Sequence, residues 1–492
     1  MQDIKIAKQF HFIGIGGISM SGLARALFAR GYKVSGSDTS STDLTKSLQN
    51  EGMLVNYGHK SQNLPLDTEV VVKTSTVPYE NPELIEARTR NIPIIERYEV
   101  LNYLSQFYKV NIGVAGSNGK TTTTAYLWKF LTALKLKPSL FLGSSVRDGE
   151  MSGNSFERDS EYAVYETDES DASFEKMLLN HGIITNIDKD HLEFYNDSFD
   201  LLKKSFKNFA KKIILQNGYL VIGIDTEASH KLFFSLREDA EFTEFRENIF
   251  SYSLNKTEAD FFPSNINHRG LDTILDICFK GEIVVKNFKF PSFCEYNIFN
   301  LTGAFALAFI LNGKKADLFH PNMFEGFKGI DKRFMPVGKF KNIDIIDDYA
   351  HNPAKIKAVI DSLNSQKNWD KVLIVFEPHK YTRLASVYQD FIETFKNSKF
   401  VYIMDIFGVA GGLTTNITKE TLYQDIATNS DGHIICGTSN QNLYNEIYKI
   451  VKDDLEPCKT AAIVFIGAGL SSYYAKHLEA EIKKIYTNEN EK

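Results

Sequence analysis

Apolar residues along this chain come in short runs that alternate with stretches of helical spacing. "FHFIGIGG" (10–17) runs into "MSGLARALFARG" (20–31), and "YKVSGSD" (32–38) reads as the next strand. A strand, a helix of period 3.6 and a second strand make one parallel unit. "EVVVKTS" (69–75) and "IPIIE" (92–96) continue it, and a polar-aromatic connector, "NYLSQFYK", ends at Lys109. "VNIGVAG" (110–116) starts a new series, followed by "YAVYETDESD", "HGIITNIDKDH" and "KKIILQNGYLVIG". Segment 225–290 is less regular. Its alternating pieces, such as "GEIVVKNFKF", predict an antiparallel edge, and a helix is expected from about Asn300 to Leu311. Around 313–340 Gly, Lys and Pro gather as in a hinge, before "IDIIDDYAHNP", "KVLIVFEPHKYTR", "KFVYIMDIF" and "AAIVFIGAGLSSYYAKHL". Strands alternating with helices predict an α/β protein with one largely parallel sheet per domain. Three domains are expected, at 1–109, 110–326 and 327–492.

Length agrees with that division, since 492 residues are long for one core. A net charge of -6 gives no basic footprint for nucleic acid. No apolar run approaches the ~18 residues of a membrane span; "AFALAFIL" (304–311) is among the longest. The four cysteines lie far apart without paired spacing. That suits a reducing compartment better than a disulfide framework or a zinc site. The N-terminus runs into a strand without the core of a signal peptide. A cytoplasmic enzyme is the expectation.

Two glycine-rich loops carry the candidate chemistry. "GSNGKTTTT" (116–124) departs from Walker A spacing, because Val114 stands where that motif has its first glycine. It still follows a strand and opens a helix. Gly116, Ser117, Asn118 and Gly119 would bring backbone N–H groups to phosphates. Lys120 would add charge at the terminal phosphates, with Thr121 and Thr122 beside it and the Thr121 hydroxyl placed for Mg²⁺. A plain helix-capping turn is the competing reading. "GIGGISMSG" has Gly14, Gly16 and Gly17 but no lysine, so it fits a diphosphate without chemistry on it. A tight turn and a nicotinamide site fit the same spacing. Asp38, at the end of the next strand, stands where a ribose-binding acid is expected.

Three further clusters follow strands. "ETDESD" (166–171) puts four carboxylates in six residues, either a solvated loop or a metal site. His191 closes "TNIDKDH", where a capping or buried role competes with a ligand role. "DDYAHNP" and "EPHKYTR" bring His351, His379, Lys380 and Arg383, a cationic group suited to anionic substrates.

Taken together, "HFIGIGGISMSGLA", "TSTVPYENPE", "AGSNGKTTTT", "ETDESDASF", "TNIDKDHLEFY", "DDYAHNP" and "PHKYTR" resemble, in order and over nearly the whole chain, the Mur ligases of peptidoglycan synthesis. The resemblance implies Rossmann-like first and third domains around a central P-loop-type ATPase domain. It implies an ATP- and Mg²⁺-dependent ligase, a monomer or homodimer, that joins L-alanine to UDP-N-acetylmuramate through an acyl phosphate. By that resemblance Thr121 and Glu166 hold Mg²⁺, His191 serves a second metal, and Asn297 with Arg333 contacts the nucleotide. The first glycine loop and Ser75 take the UDP-sugar; Tyr349, His351, His379, Lys380 and Arg383 take alanine. Lys120, Glu166, His191, His351 and Arg383 would carry the reaction. A tripeptide-recycling ligase of the family has tyrosine where this chain has Ser170, and it stays the alternative, beside a catalytically impaired UDP-sugar-binding homologue. Asn118, Tyr296, Asn352 and Lys380 depart from the family's pattern.

Overall fold

The computed structural model describes residues 7–490 apart from 75, 149–150, 171, 191, 366–367 and 409–416. The described chain is a three-domain α/β protein with one main sheet in each part. It divides into two compact units. Met1–His268, Asp272–Ser292 and Tyr296–Lys328 form the first, and Gly329–Lys492 with two short inserts forms the second.

The first unit opens with β1 (Gln9–Ile13), α1 (Ile18–Ala29), β2 (Lys33–Asp38), α2 (Asp43–Asn50), β3 (Leu54–Tyr57), β4 (Val70–Lys73), α3 (Pro82–Thr89), β5 (Ile94–Glu96) and α4 (Arg97–Ser105). The strands pair in parallel in the order β3-β2-β1-β4-β5. This is the Rossmann-like order, with its switch point outside β1. Local chemistry sets the helix starts. Thr42 and Thr45 form a capping box before α2, and Asn81 accepts from Glu83 N with Pro82 at the first helical position of α3. Strand β3 escapes the hydrophobic pattern. Only four residues long, it leaves Leu54 and Tyr57 exposed at the sheet edge.

The same unit continues with β6 (Val110–Ala115), α5 (Lys120–Ala133), β7 (Ser139–Phe141), the hairpin β8 (Val146–Asp148) and β9 (Met151–Gly153), β10 (Tyr162–Glu166), β11 (His181–Ile184), α6 (Phe199–Ile214), β12 (Leu220–Gly223), α7 (Glu227–Glu238), β13 (Ile249–Tyr252), β14 (Phe261–Arg269), β15 (Asp272–Phe279), β16 (Glu282–Phe290) and α8 (Glu295–Leu311). Nine strands order as β16-β15-β14-β13-β12-β11-β6-β10-β7. The centre is parallel, and β15 and β16 pair antiparallel at one edge, as their alternation predicts. Helix α8 begins five residues before the expected Asn300, because its polar first turn hides the apolar signal. It is buried on nearly every side, and Phe305 packs against Phe130 of α5.

After β17 (Phe327–Ile330), the second unit runs β18 (Met335–Phe340), β19 (Ile343–Asp348), α9 (Pro353–Ser365), β20 (Lys371–Phe376), α10 (Tyr381–Ser386), α11 (Tyr388–Phe395), β21 (Phe400–Ile403), α12 (Lys419–Asn429), β22 (His433–Cys436), α13 (Leu443–Ile450), β23 (Ala461–Ile466) and α14 (Ser471–Asn490). Its sheet has the order β18-β19-β23-β20-β21-β22, parallel but for the β18–β19 edge. Among the described residues no helix is long and apolar enough to cross a membrane.

Candidate active site

The chain leaves β6 into a loop that only glycine can build. Gly116 has φ +141°, and a Cβ there would lie 1.9 Å from Thr185 Oγ1. Gly119 caps α5 at φ +83°, where a Cβ would lie 2.4 Å from Asn300 Oδ1. The far side of the loop is clamped by the segment after β11. Asn118 N donates to Asn186 Oδ1 at 2.9 Å, Thr185 Oγ1 donates to Asn118 O at 2.6 Å, and Ser117 Oγ donates to Asp188 O at 3.1 Å. "TNIDKD" therefore supports the loop, a role its sequence did not reveal.

Lys120 Nζ donates to Gly116 O at 2.8 Å and pairs with Glu169 at 2.5 Å. Burial works against the ammonium, but Glu169 and Asp168 offset it and raise the lysine above its ordinary range. Glu169 is fully buried. The position was one of four acids in the sequence, with nothing to single it out. Thr121 Oγ1 donates to Glu166 Oε1 at 2.5 Å, and Gly143 N donates to the other carboxylate oxygen at 2.7 Å. The two expected magnesium ligands thus meet, while His191 lies outside the described residues. Among the described residues no cluster of three His, Cys, Asp or Glu side chains offers a ready-made metal cage. Thr122 is buried in the first turn of α5.

Among the described residues two buried amide oxygens have no partner, Asn118 Oδ1 and Asn297 Oδ1. Asn297 holds Ser292 Oγ through its amide nitrogen at 2.9 Å, so its free oxygen is not a packing accident of a loose side chain. Unpaired buried acceptors are costly and mark ligand positions. Arg333 belongs to the second unit, where its guanidinium lies 5.5 Å from the Tyr349 ring centre.

The first glycine loop is held differently. Gly14, at φ +77°, and Ile15 donate their N–H groups to Ser37 O at 2.8 and 3.0 Å. Gly16 N donates to Asp38 Oδ2 at 2.8 Å, and Gly17 N to Gly14 O at 3.2 Å. Asp38 also accepts from Thr39 N at 2.8 Å, so this acid shapes the turn. Beneath it lies a buried polar network that the sequence did not suggest. Glu83 accepts from Ser37 Oγ at 2.6 Å and from Asn63 Nδ2 at 2.7 Å, with His11 Nε2 at 3.2 Å. Ser75 lies outside the described residues.

In the second unit Tyr349, His351, His379 and Arg383 come together. His351 Nδ1 bonds Tyr349 O at 2.7 Å, and its ring lies 6.2 Å from that of His379. Burial, with Lys355 and Arg383 nearby, pushes His351 down to about 3. His379 is lowered by burial and Arg383, stacks on Phe407, and accepts from Arg383 Nη1 at 3.3 Å. Lys380 bonds Phe407 O through its backbone at φ +64°, while its side chain is exposed. Asn352 accepts from Lys355 N at 2.9 Å, a helix cap ahead of Pro353. One acid went unnoticed in the sequence: Asp348, buried, accepts from Phe334 N and Ala350 N at 2.7 Å each.

Comparison with known proteins agrees along the whole length. Residues 9–109 match the Mur ligase family catalytic domain, 114–308 the Mur ligase middle domain and 332–469 the Mur ligase glutamate ligase domain. A UDP-N-acetylmuramate–L-alanine ligase of Clostridium tetani is 33% identical over 95% of this chain and 96% of its own. One from Rickettsia conorii is 34% identical over 96% and 94%. The solved UDP-N-acetylmuramate-alanine ligase of Thermotoga maritima superposes with a TM-score of 0.76 at 23% identity, covering 98% of this chain and 99% of its own.

Proposed function

The chain belongs to the Mur ligase family, and from that premise we propose that it is an ATP-dependent ligase joining L-alanine to the carboxylate of UDP-N-acetylmuramate in peptidoglycan precursor synthesis, in the cytoplasm. One observation carries the reading. Lys120, Glu166 and Asp168 line the same cavity as Ser19 and Gly22 of the helix that follows the first glycine loop. The helices that follow the two glycine loops, α1 and α5, thus both contribute to one space. The three segments 1–109, 110–326 and 327–492 would serve the UDP-sugar, ATP and alanine in turn.

In this reading Lys120 exchanges Glu169 for the terminal phosphates of ATP and neutralises charge as the γ-phosphoryl group passes to the sugar carboxylate. ADP leaves, the amine of alanine attacks the acyl carbon, and phosphate departs as the amine loses a proton. No covalent bond to the protein forms. Asn118 and Asn297, each with a free buried oxygen, would meet the nucleotide. Thr121 and Glu166, hard oxygen donors 2.5 Å apart with Glu166 on the cavity wall, would hold magnesium, which when bound would offset phosphate charge. Arg383, hydrogen-bonded to His379, would hold the alanine carboxylate, with Tyr349 and His351 beside it. The test is ADP release with ATP, UDP-N-acetylmuramate and a panel of amino acids. Release that needs both the UDP-sugar and L-alanine supports the reading. Release driven by a tripeptide and not by alanine would replace it with the recycling activity.

A further inference from the structure

The cavity to which α1 and α5 both contribute has a second cation, and the reading above gives it no task. Arg97 is the first residue of α4, and it lines this space of about 100 Å³ together with Lys120. Its backbone is fixed. Glu96 and Glu99 form a capping box at the start of α4. Asn102, one and a half turns on, pins the helix to the central part through Lys176 O at 2.9 Å and Leu178 N at 2.8 Å. Its guanidinium is hardly engaged. Among the described residues it reaches only Ser19 Oγ at 3.4 Å and Asp168 Oδ2 at 3.5 Å, both long for a charged pair. The side chain is 26% exposed, toward the cavity. Burial opposes the charge on Asp168, yet Lys120 and Arg97 together hold its carboxyl below the ordinary range.

We propose that Arg97 is the clamp for the substrate's reacting carboxylate and so selects a UDP-sugar that carries one. The inference rests on the ligase reading and deepens it. The other walls explain why an arginine is needed there. Glu166 and Asp168 face the same space, so an incoming carboxylate meets two like charges. Lys120 is committed to Glu169 in the free protein and to phosphate in the reaction. Among the described residues that line this space, Arg97 is the cation left to receive the carboxylate, through two parallel N–H donors, beside the α1 residues Ser19 and Gly22. Its long contact with Asp168 is the kind a substrate oxygen can replace at little cost.

The experiment compares two ligands that share nucleotide and sugar and differ in the carboxylate: UDP-N-acetylmuramate and UDP-N-acetylglucosamine. Calorimetry gives both dissociation constants for the wild type, Arg97→Ala and Arg97→Lys. A lost charged pair predicts about 10- to 100-fold weaker UDP-N-acetylmuramate binding in Arg97→Ala, with UDP-N-acetylglucosamine within about twofold. Arg97→Lys should recover part of the loss. Equal weakening of both ligands would make Arg97 a structural bridge to Asp168 and overturn the proposal. Unchanged UDP-N-acetylmuramate binding would overturn it too. Wild-type protein that binds neither UDP-sugar would instead remove the ligase reading on which the inference stands.

Discussion

Two glycine turns of this molecule look alike in sequence and do opposite things. Gly116–Lys120 and Gly467–Ser471 each follow a buried parallel strand and open a helix, α5 or α14. In the first, the loop's own lysine turns toward a buried glutamate, Glu169, and in the proposed reading phosphate claims that cation. In the second, a glutamate fills the anion's place. Glu377 accepts from Gly469 N at 2.8 Å, Leu470 N at 2.7 Å and Ser471 N at 3.2 Å. The N-terminus of α14 is thus neutralised from within. A glycine turn ahead of a helix is therefore half of an anion site. The fold decides, by the side chain it brings alongside, whether the other half is a ligand or the protein itself.

The largest test of this contrast removes the cation. In Lys120→Ala, turnover should fall by roughly 10³-fold or more, as expected for a lost charge at a phosphoryl transition state. UDP-N-acetylmuramate affinity, which the proposed reading assigns to the first domain, should stay within about twofold. Retained turnover would mean that the phosphate site lies elsewhere.

Removing the anion from the second turn should cost stability and not chemistry. Glu377→Ala leaves three N–H groups without their acceptor at a partly buried helix start. About 3 kcal/mol of unfolding free energy should disappear, as urea denaturation would read. The constants for ATP should not move. A stable variant would show that water satisfies this turn as well as Glu377 does, and the contrast would lose its energetic basis.

A smaller effect concerns the cation cluster of the second unit. Arg383 is half-buried against His379, whereas the Lys380 side chain is exposed. Arg383→Lys keeps the charge and loses the fork, so the KM for L-alanine should rise about tenfold, the worth of one charged hydrogen bond. ATP and UDP-N-acetylmuramate constants should change little. If Lys380→Ala raises the alanine constant and Arg383→Lys does not, the exposed lysine is the clamp.

How much of this could be read from the sequence depends on range. Strands such as Val70–Lys73 and Ala461–Ile466 announce themselves because both faces are buried, which makes their residues a nearly continuous apolar run. The phosphate loop is local chemistry as well: Gly116, Gly119, Lys120 and Thr121 are neighbours in sequence and in space. Glu169 and Glu377 were not readable as partners. Each is defined by a group 49 or 92 to 94 residues away in sequence, brought close only by sheet order. Asp348 differs in range, since its donors Phe334 N and Ala350 N lie 14 and 2 residues away, but a buried acid held by backbone N–H groups has no side-chain pattern to announce it. Edge strand β3 was missed for the opposite reason, since its half-exposed residues carry too little pattern.

The last test asks whether buried charge in the second unit is governed by burial instead of pairing, in contrast to Lys120, which Glu169 and Asp168 raise against the effect of burial. Two neighbours there carry opposite signs. Burial lowers His351 from 6.5 to about 3, so between those values the unfolded chain binds the extra proton and stability falls as pH drops. Burial raises Asp348 from 3.8 to about 6, with Arg333 only partly opposing it. Below pH 6 the folded chain then binds the extra proton, and stability rises as pH drops. From pH 6.5 to 6 only His351 acts; below pH 6 the two effects oppose each other. Thermal melts of wild type, His351→Ala and Asp348→Asn at pH 7 and pH 5 separate them. Since Asn cannot match both hydrogen bonds of the carboxylate, the comparison uses the change with pH and not the absolute melting temperature. Relative to wild type, His351→Ala should lose less Tm, or gain some, on going to pH 5, and Asp348→Asn should lose more. Each difference should be on the order of 2 °C, because His351 is only partly shielded and the chain is long. Asp347 and His379, which also titrate from buried positions, are common to all three proteins and largely cancel. Parallel pH responses in the three proteins would show that His351 and Asp348 are not held by burial, and the second unit would then resemble the first.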